Sequence, residues 1–382
     1  MDRRHSCAVC KQQRVKCKPN CKFLNNLPRE KYKTYEKIHQ VFGFSQFEIF
    51  YDKVDQRNRD RMIDSYLYQA NSRIERPILG VNQEIESLKF QLANTKRLAA
   101  EEILVSGLGV TLVEFCKYIM VAGVKSVTLH DDRMATPELL RINTLINPDD
   151  YRDKTISQLC KDTLMKFNST VALHVLQGSL SNLNDAEFQE FDAVIISSCS
   201  EKRRSELNLR LRQLPKPVAF YSVECRGCLA EIFVDLNNQI KSERLFGETV
   251  DTILEFPSFE RAIAVPWQEL PQGMSKVYYA MRVAENFEAT NGRFPGELYD
   301  GDIENIKTFK DLFCATQHFT PDSIPDAIIA KLVGGTTCDI FSIVGAIMAQ
   351  DFIHYKSGGK PIKNFFLYDG GAAEGMVTEI GC

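Results

Sequence analysis

The spacing of apolar residues predicts helices in the first hundred residues. Apolar side chains recur at intervals of three and four positions in segments 47–54 and 63–74, which places them on one face of a helix. A further segment carries apolar residues seven, four and seven positions apart, at Val81, Leu88, Leu92 and Ala99. This last spacing fits either a dimer-forming zipper or an amphipathic helix packed on its own domain, and two leucines do not decide between them.

From residue 103 onward, the pattern changes to short apolar runs alternating with helical spacing. The runs are typical of buried strands and lie at 103–106, 127–129, 191–196 and 218–223. Helical patterns cover 112–122 and 305–333, and an apolar, small-residue helix covers 344–350. Strands that alternate with helices predict an α/β fold with a parallel sheet and right-handed crossovers. The helix at 344–350 suits close packing against the sheet or against a partner subunit.

Length and composition then limit the class of protein. At about 150 residues per domain, 382 residues predict two domains, which we place at 1–99 and 100–382. A content of 44% hydrophobic and 25% charged residues excludes a collagen, a disordered tail and a coiled-coil rod. Charges at Glu114 and Lys117 interrupt the longest apolar region, so no membrane span is expected. The amino terminus lacks the apolar core of a secretory signal, which predicts a cytosolic or nuclear protein.

Charge is distributed unevenly along the chain. Residues 1–37 hold eleven Lys and Arg against three acidic residues, a net charge of +8, whereas the whole chain carries −3, so the remainder carries −11. A basic amino-terminal segment on an acidic body suggests that the first segment meets polyanions and the second does not. A solvated basic face and a localisation signal are the alternatives that charge alone leaves open.

Four of the twelve cysteines lie within the first 21 residues, in the pattern C-x2-C-x6-C-x3-C. In a reducing compartment such a cluster indicates a metal site rather than disulfides. Four thiolates complete a tetrahedral zinc site, and a segment this short needs the metal for its folding energy. The predicted zinc ligands are Cys7, Cys10, Cys17 and Cys21.

Basic residues fill the loop between these cysteines. Cations in such a loop can neutralise DNA phosphates and release their counterions. A guanidinium can also bond bidentately to a base edge, which makes Arg14 the best candidate for reading sequence. The predicted DNA-binding residues are Lys11, Arg14, Lys16 and Lys18.

A damaged dinucleotide-binding motif follows the first predicted strand. Gly107 and Gly109 could let backbone amides approach a phosphate, and Asp131 could hold a ribose. The third glycine of G-x-G-x-x-G, which permits close helix–strand packing, is replaced by Leu112. We therefore expect a nucleotide-binding fold with a vestigial site, and we expect no bound cofactor there. A nicotinamide-dependent oxidoreductase is disfavoured for the same reason.

Residues 5–99 resemble the plant LOB (lateral organ boundaries) domain, a family of DNA-binding transcription regulators. The resemblance rests on the cysteine spacing, on the sequence at 41–45 in place of the family's Phe-Gly-Ala-Ser signature, and on the zipper-like segment. It implies zinc bound by the four cysteines and DNA bound by the basic loop. Val15 stands where the family has a second consecutive Arg. The zipper is weak at both ends.

The chain from about residue 95 to its end resembles the small subunit of the heterodimeric SUMO-activating enzyme, of the ThiF/ubiquitin-activating superfamily. The matching stretches are 121–124 with 126–129, then 131–133, 220–227, 231–236, 256–260 and 364–370. The resemblance implies a ThiF-type fold in which the large subunit holds ATP, magnesium and the thioester-forming cysteine, while the small subunit is a structural pseudo-half. Positions 110 and 142, where related subunits carry a glycine and a phosphate-binding arginine, are Val110 and Ile142.

The sequence thus predicts a small, non-catalytic subunit that supports ATP-dependent activation of SUMO, with a LOB-like module at its front. The expected cofactor is zinc in that module, and the expected partners are the large subunit, SUMO and duplex DNA in the nucleus or cytoplasm. The alternative is a LOB-type transcription regulator whose carboxyl-terminal domain is only an interaction platform. No catalytic residue is assigned. The family's Tyr-Asp-Arg-Gln-Ile-Arg motif, whose arginine reaches ATP, does not occur in the chain.

Overall fold

Two compact units, Met1–Ala93 and Asn94–Cys382, make up the chain. The structure is a computed structural model, and it describes residues 6–75, 95–136, 151–237, 239–245, 248–295, 302–333 and 338–382. Among the helices in these ranges, none has the length and apolar character needed to cross a membrane. The zipper-like residues Val81, Leu88 and Leu92, and Ile142, lie outside the described residues.

The described part of the first unit contains three helices, namely α1 Ala8–Gln12, α2 Tyr32–Lys53 and α3 Arg59–Glu75. Helix α2 contains a break at Gly43, whose φ of 71° lies in the left-handed region that glycine tolerates. The helices predicted at 47–54 and 63–74 are confirmed within α2 and α3. The core of this unit contains several aromatic rings, with the Phe23 and Tyr51 ring centroids 4.8 Å apart and those of Phe47 and Tyr66 5.7 Å apart.

The second unit is built on an eight-stranded sheet with the order β10-β9-β6-β5-β4-β1-β2-β3. Its strands are β1 Glu102–Ser106, β2 Ser126–His130, β3 Ala172–Val175, β4 Ala193–Ser197, β5 Ala219–Arg226, β6 Leu229–Asp235, β9 Phe365–Asp369 and β10 Glu374–Thr378. A separate antiparallel hairpin joins β7 Gln239–Leu245 and β8 Glu248–Leu254. Five neighbouring strands, β3, β2, β1, β4 and β5, run parallel, as predicted. The remaining strands, β6, β9 and β10, pair antiparallel.

Helices cover both faces of this sheet, which explains the nearly continuous apolar runs of its strands. The helices are α4 Val110–Ala122, α5 Ile156–Leu164, α6 Asp185–Phe188, α7 Glu201–Arg212, α8 Phe259–Ile263, α9 Lys276–Asn291, α10 Asp302–Thr316, α11 Asp326–Val333 and α12 Cys338–Lys356. Short 3-10 turns occur at Arg29–Lys31, Gln56–Asn58, Leu180–Asn182, Trp267–Glu269 and Pro321–Ser323. The helical patterns predicted at 112–122, 305–333 and 344–350 are confirmed.

Alternate residues of β1 enter opposite cores. Ile103 and Val105 pack with α4, α5 and α12, whereas Leu104 packs with α7, α9 and α11 on the other face. Strand β1 lies between β2 and β4. The chain therefore forms β2 on one side of β1 and later forms β4 on the other side. In open α/β sheets, ligands bind at this switch point, outside the carboxyl ends of the strands.

Candidate metal centre and the crevice of the sheet unit

The four predicted cysteines converge in the first unit. Their Sγ atoms all lie within 4.8 Å of one another. The Cys7 and Cys21 sulfurs are 3.7 Å apart, and those of Cys10 and Cys21 are 3.8 Å apart. No other group of three or more His, Cys, Asp or Glu with metal-binding geometry occurs among the described residues.

Local backbone geometry brings these sulfurs together. Cys7 is the amino-terminal cap of α1, and its Sγ accepts a hydrogen bond of 3.3 Å from the backbone N–H of Cys10. The Cys7 N–H in turn donates to the Cys17 Sγ at 3.5 Å. Arg14, with φ of 58°, reverses the chain after α1 so that the loop returns to the first two cysteines. Such N–H donors stabilise thiolates, the form of cysteine that binds metal.

The sulfur separations fit a zinc ion. A tetrahedral site with Zn–S distances of about 2.3 Å requires sulfurs about 3.8 Å apart, and two of the pairs in the structure match this value. All four donors are cysteines, which is the donor set of closed structural zinc sites. When bound, zinc would cross-link the loop, and the residues that would hold it are Cys7, Cys10, Cys17 and Cys21.

Burial raises the pKa of the Cys7 thiol. A thiol with a raised pKa keeps its proton at neutral pH until a metal displaces it. Binding of zinc at this centre therefore releases protons, and its affinity falls as the pH is lowered.

The predicted DNA-binding residues Lys11, Arg14, Lys16 and Lys18 are all exposed. The Lys11 Nζ lies 3.7 Å from the centroid of the Tyr32 ring, which fixes one cation against an aromatic face. Lys22, which follows the loop, is instead ion-paired with Glu48 at 2.9 Å and Asp52 at 2.7 Å. The loop cations therefore face solvent, whereas the charge of Lys22 is neutralised within the unit.

In the second unit, the three residues predicted as a vestigial nucleotide site lie after β1, after β2 and at the start of α4. Gly107 follows β1, Gly109 caps the amino terminus of α4, and Asp131 follows β2. Gly107 and Asp131 line a crevice of about 230 Å³ at the switch point of the sheet, whereas Gly109 is not among its lining residues. The crevice is also lined by Ser106, His130, Arg133, Ser197, Ser198 and Arg203.

The Asp131 carboxylate is saturated by hydrogen bonds from its own chain. Its Oδ2 accepts from the Leu108 N–H at 2.9 Å and from the Arg133 Nη2 at 2.7 Å. Its Oδ1 accepts from the Arg133 backbone N–H at 3.2 Å and from the Arg133 Nε at 2.9 Å. A carboxylate offers about four lone-pair directions. A ribose hydroxyl would have to displace one of these partners, because all four directions are used.

His130 and Ser106 are a second pair that the sequence did not single out. The His130 Nε2–H donates to the Gly178 carbonyl at 2.7 Å, so its Nδ1 is free to accept the Ser106 hydroxyl, also at 2.7 Å. A carbonyl oxygen only accepts, which fixes this tautomer. With both ring nitrogens bonded, His130 holds the β1 and β2 ends together. Neither residue carries a sequence signal beyond its place at a strand end.

Comparison with known proteins gives a different relative for each part of the chain. The lateral organ boundaries (LOB) domain profile matches residues 6–102. SUMO-activating enzyme subunit 1A of Arabidopsis thaliana is 43% identical over 290 residues, which are 75% of this chain and 90% of the relative. The chain belongs to the SUMO-activating enzyme subunit 1 family.

Other members of the subunit 1 family agree with this assignment. Subunit 1B-1 of Arabidopsis thaliana is 41% identical over 75% of this chain and 91% of the relative. SUMO-activating enzyme subunit 1 of Dictyostelium discoideum is 23% identical over 74% of this chain and 88% of the relative. The chain is therefore a subunit 1 homologue that carries a LOB domain in front, and its sheet is the ThiF-type fold expected from the sequence.

The end of the LOB match overlaps the start of the subunit 1 body. Residues 94–102 belong to both the LOB match and the second compact unit. Leu98 is buried in the core beneath α4 and α12, and Glu101 is ion-paired with Lys356 of α12 at 2.6 Å. In three dimensions this overlap belongs to the sheet unit.

Proposed function

We propose that this chain is the small, non-catalytic subunit of a SUMO-activating enzyme. In this proposal the large subunit holds ATP and magnesium, adenylates SUMO and carries it as a thioester, while this chain supports that subunit. The observation that carries the proposal is identity of 41–43% over nine-tenths of the length of plant proteins named SUMO-activating enzyme subunit 1.

The hydrogen bonds in the crevice favour a structural rather than a catalytic role for this chain. Asp131, the residue best placed to bind a ribose, is already bonded to Leu108 and Arg133. Val110 occupies the first position of α4, where its side chain is buried beside the glycine turn. The described residues of the crevice thus stabilise the turn that a nucleotide would otherwise contact.

The test is SUMO activation in a reconstituted system. The full chain is mixed with the large subunit, SUMO, ATP and magnesium, and thioester on the large subunit is followed on non-reducing gels. We expect thioester that depends on this chain. The absence of both thioester and a stable complex with the large subunit would contradict the proposal.

We also propose that activation by this chain is slower than with a subunit that has the ATP-reaching arginine. An arginine that offsets triphosphate charge contributes several kcal/mol to the transition state, and its motif does not occur in this sequence. Single-turnover adenylation should therefore be at least tenfold slower than with a small subunit that carries this motif. Equal rates would contradict this expectation.

A second function is favoured by the exposed basic loop beside the cysteine centre. We propose that the zinc-bound LOB domain binds duplex DNA in the nucleus through Lys11, Arg14, Lys16 and Lys18. Phosphate contacts make such binding salt-dependent. If the sheet unit served only as a platform for this module, the chain would bind DNA and leave SUMO activation unchanged.

DNA binding is tested on the full chain with charge-matched variants. Lys16→Glu/Lys18→Glu should weaken binding at least tenfold and flatten its salt dependence. The control Lys33→Glu/Arg57→Glu makes the same charge change at exposed positions of the first unit outside the loop and should have a much smaller effect. Chelation of zinc should abolish binding. An equal effect of the two variants would point to non-specific attraction instead.

A further inference from the structure

The outer sides of α4 and α12 carry more apolar surface than packing on the sheet requires. Val121 of α4 is 62% exposed, Ile343 of α12 is 42% exposed and Tyr118 of α4 is 40% exposed. Helices that border solvent normally present charged or polar residues outward. In α4 the only charged residues are Glu114 and Lys117, which are paired with each other.

An open groove of about 460 Å³ runs between these two helices. Its lining includes Tyr118, Ala346, Ala349, Gln350, Ile353 and His354. Helix α12 approaches α4 closely at Gly345, where a Cβ would lie 2.5 Å from the Thr111 carbonyl oxygen. The small side chains that follow Gly345 leave a concave surface, which we call the α4–α12 groove.

Two cationic residues, Arg97 and Lys360, lie near one end of the α4–α12 groove. His354 is exposed at this end, and the Arg97 guanidinium lies 3.6 Å from the position that a Cβ on Gly358 would take. Lys360 is exposed two residues further along the chain. None of the described residues that line the groove is acidic. An occupant with an apolar side and a negative end would complement this distribution.

We propose that the α4–α12 groove receives an amphipathic helix of the large catalytic subunit. Such a helix would bury apolar residues spaced three and four apart against the groove. Its carboxyl end, which carries about half a negative charge, would lie beside Arg97. The inference rests on the proposed function and names the surface that the partnership uses.

The shape of the groove favours this occupant over a second copy of the chain. A two-fold contact between copies places the same patch against itself. Two concave grooves facing each other would enclose a void, and voids forfeit the packing that stabilises an interface. A convex helix from a different chain fills the groove.

The test compares full-length variants for affinity to the large subunit. Val121→Glu/Ile343→Glu places two charges on the groove rims. The control Leu312→Glu/Val377→Glu adds the same charges at residues that are 65% and 54% exposed elsewhere in the sheet unit. We expect the dissociation constant to rise at least 30-fold for the rim variant and less than threefold for the control. Ala346→Phe, which fills the groove without adding charge, should also weaken binding if the rim variant proves unstable.

The possible results separate this inference from the proposed function. Normal binding by the wild type together with unimpaired binding by the rim variant and Ala346→Phe would overturn the inference and leave the proposed function standing. Failure of the wild type to bind the large subunit would overturn both. A wild-type chain that dimerises by itself through these residues, shown by sedimentation of the two variants, would assign the groove to a second copy and overturn the inference.

Discussion

At the scale of single residues, the two glycines after β1 have different surroundings. Gly107 has a φ of +81°, and a Cβ there would lie 2.1 Å from the Ser197 carbonyl oxygen. At Gly109, with φ of −73°, a Cβ would meet nothing closer than the Ser198 Oγ at 4.0 Å. Only Gly107 is therefore required by the packing of β1 on β4.

We predict that Gly107→Ala destabilises the sheet unit and that Gly109→Ala does not. The first change combines backbone strain with a collision against main chain and should cost at least about 2 kcal/mol of unfolding free energy. The second should change stability by less than about 1 kcal/mol. Urea denaturation of the two variants measures both changes, and similar losses would contradict the close packing of Gly107 on Ser197.

Asp351 is a buried acid in an apolar part of the sheet unit. Its Oδ1 accepts from the Ile362 N–H at 2.6 Å and its Oδ2 from the Tyr221 hydroxyl at 3.2 Å. Burial raises its pKa from 3.8 to about 6. Between these two values the folded chain holds a proton that the unfolded chain has lost. The contribution of this residue to stability therefore falls as the pH rises through this range and stays low above it.

We predict that Asp351→Asn stabilises the protein more at pH 8 than at pH 5. The amide keeps one acceptor oxygen and removes the buried charge, so the gain should be about 1 kcal/mol larger at pH 8. Thermal unfolding of wild type and variant at both pH values measures the difference. Asp322→Asn, at an exposed position, is the control and should show no such trend. A gain that does not change with pH would contradict the assignment.

At the scale of elements, a buried charge network joins β6 to α9 and α7. The Arg282 Nη2 lies 2.6 Å and 2.7 Å from the two Glu231 carboxylate oxygens, and the Arg204 Nη1 lies 3.3 Å from the first of them. Glu285 completes the network through ion pairs with both arginines. All four side chains are almost inaccessible to solvent, so each charge depends on its partners.

We predict that Arg282→Met destabilises the protein by about 3–5 kcal/mol, because it leaves two buried carboxylates, Glu231 and Glu285, with Arg204 as their one remaining cation in the network. Lys202→Met, which removes an exposed cation 3.9 Å from Glu206, should cost less than about 0.5 kcal/mol. Chemical denaturation of both variants tests the contrast. Equal small effects would show that water reaches the network.

The element pattern explains what the sequence predicts well and what it leaves out. Helical spacing locates α2 and α3, and apolar runs locate β1, β2, β4 and β5. Strand direction is not encoded in such runs, because strands covered on both faces are apolar whichever way they run. The antiparallel pairing of β6, β9 and β10 therefore emerges only in the structure. The break in α2 at Gly43 has only a single glycine as its sequence signal.

For the candidate sites too, the sequence predicts some features and leaves others to the structure. Cysteine spacing predicts a set of zinc ligands, and the structure brings those four sulfurs together. The glycine motif and the acid after β2 predict a second site, and Gly107 and Asp131 line the same crevice. The sequence does not reveal that the Arg133 guanidinium donates hydrogen bonds to the Asp131 carboxylate, since a side chain two residues away can point in many directions. Side-chain pairing depends on tertiary packing, and only the structure supplies it.

At the scale of the whole molecule, the LOB match and the subunit 1 body share a short segment. The sequence pattern ends the first domain at residue 99, while the compact units divide between Ala93 and Asn94. The buried Leu98 and the Glu101–Lys356 ion pair show that this segment stabilises the sheet unit. The end of the LOB match therefore forms part of the sheet unit.

We propose that a single chain both holds zinc and pairs with the large subunit. The most direct test is a native mass spectrum of the full chain co-purified with the large subunit, beside the same complex made with Cys10→Ser. We predict a one-to-one complex that contains one more zinc ion with the wild-type chain than with the variant. A chain that stays alone and contains no zinc would contradict the account.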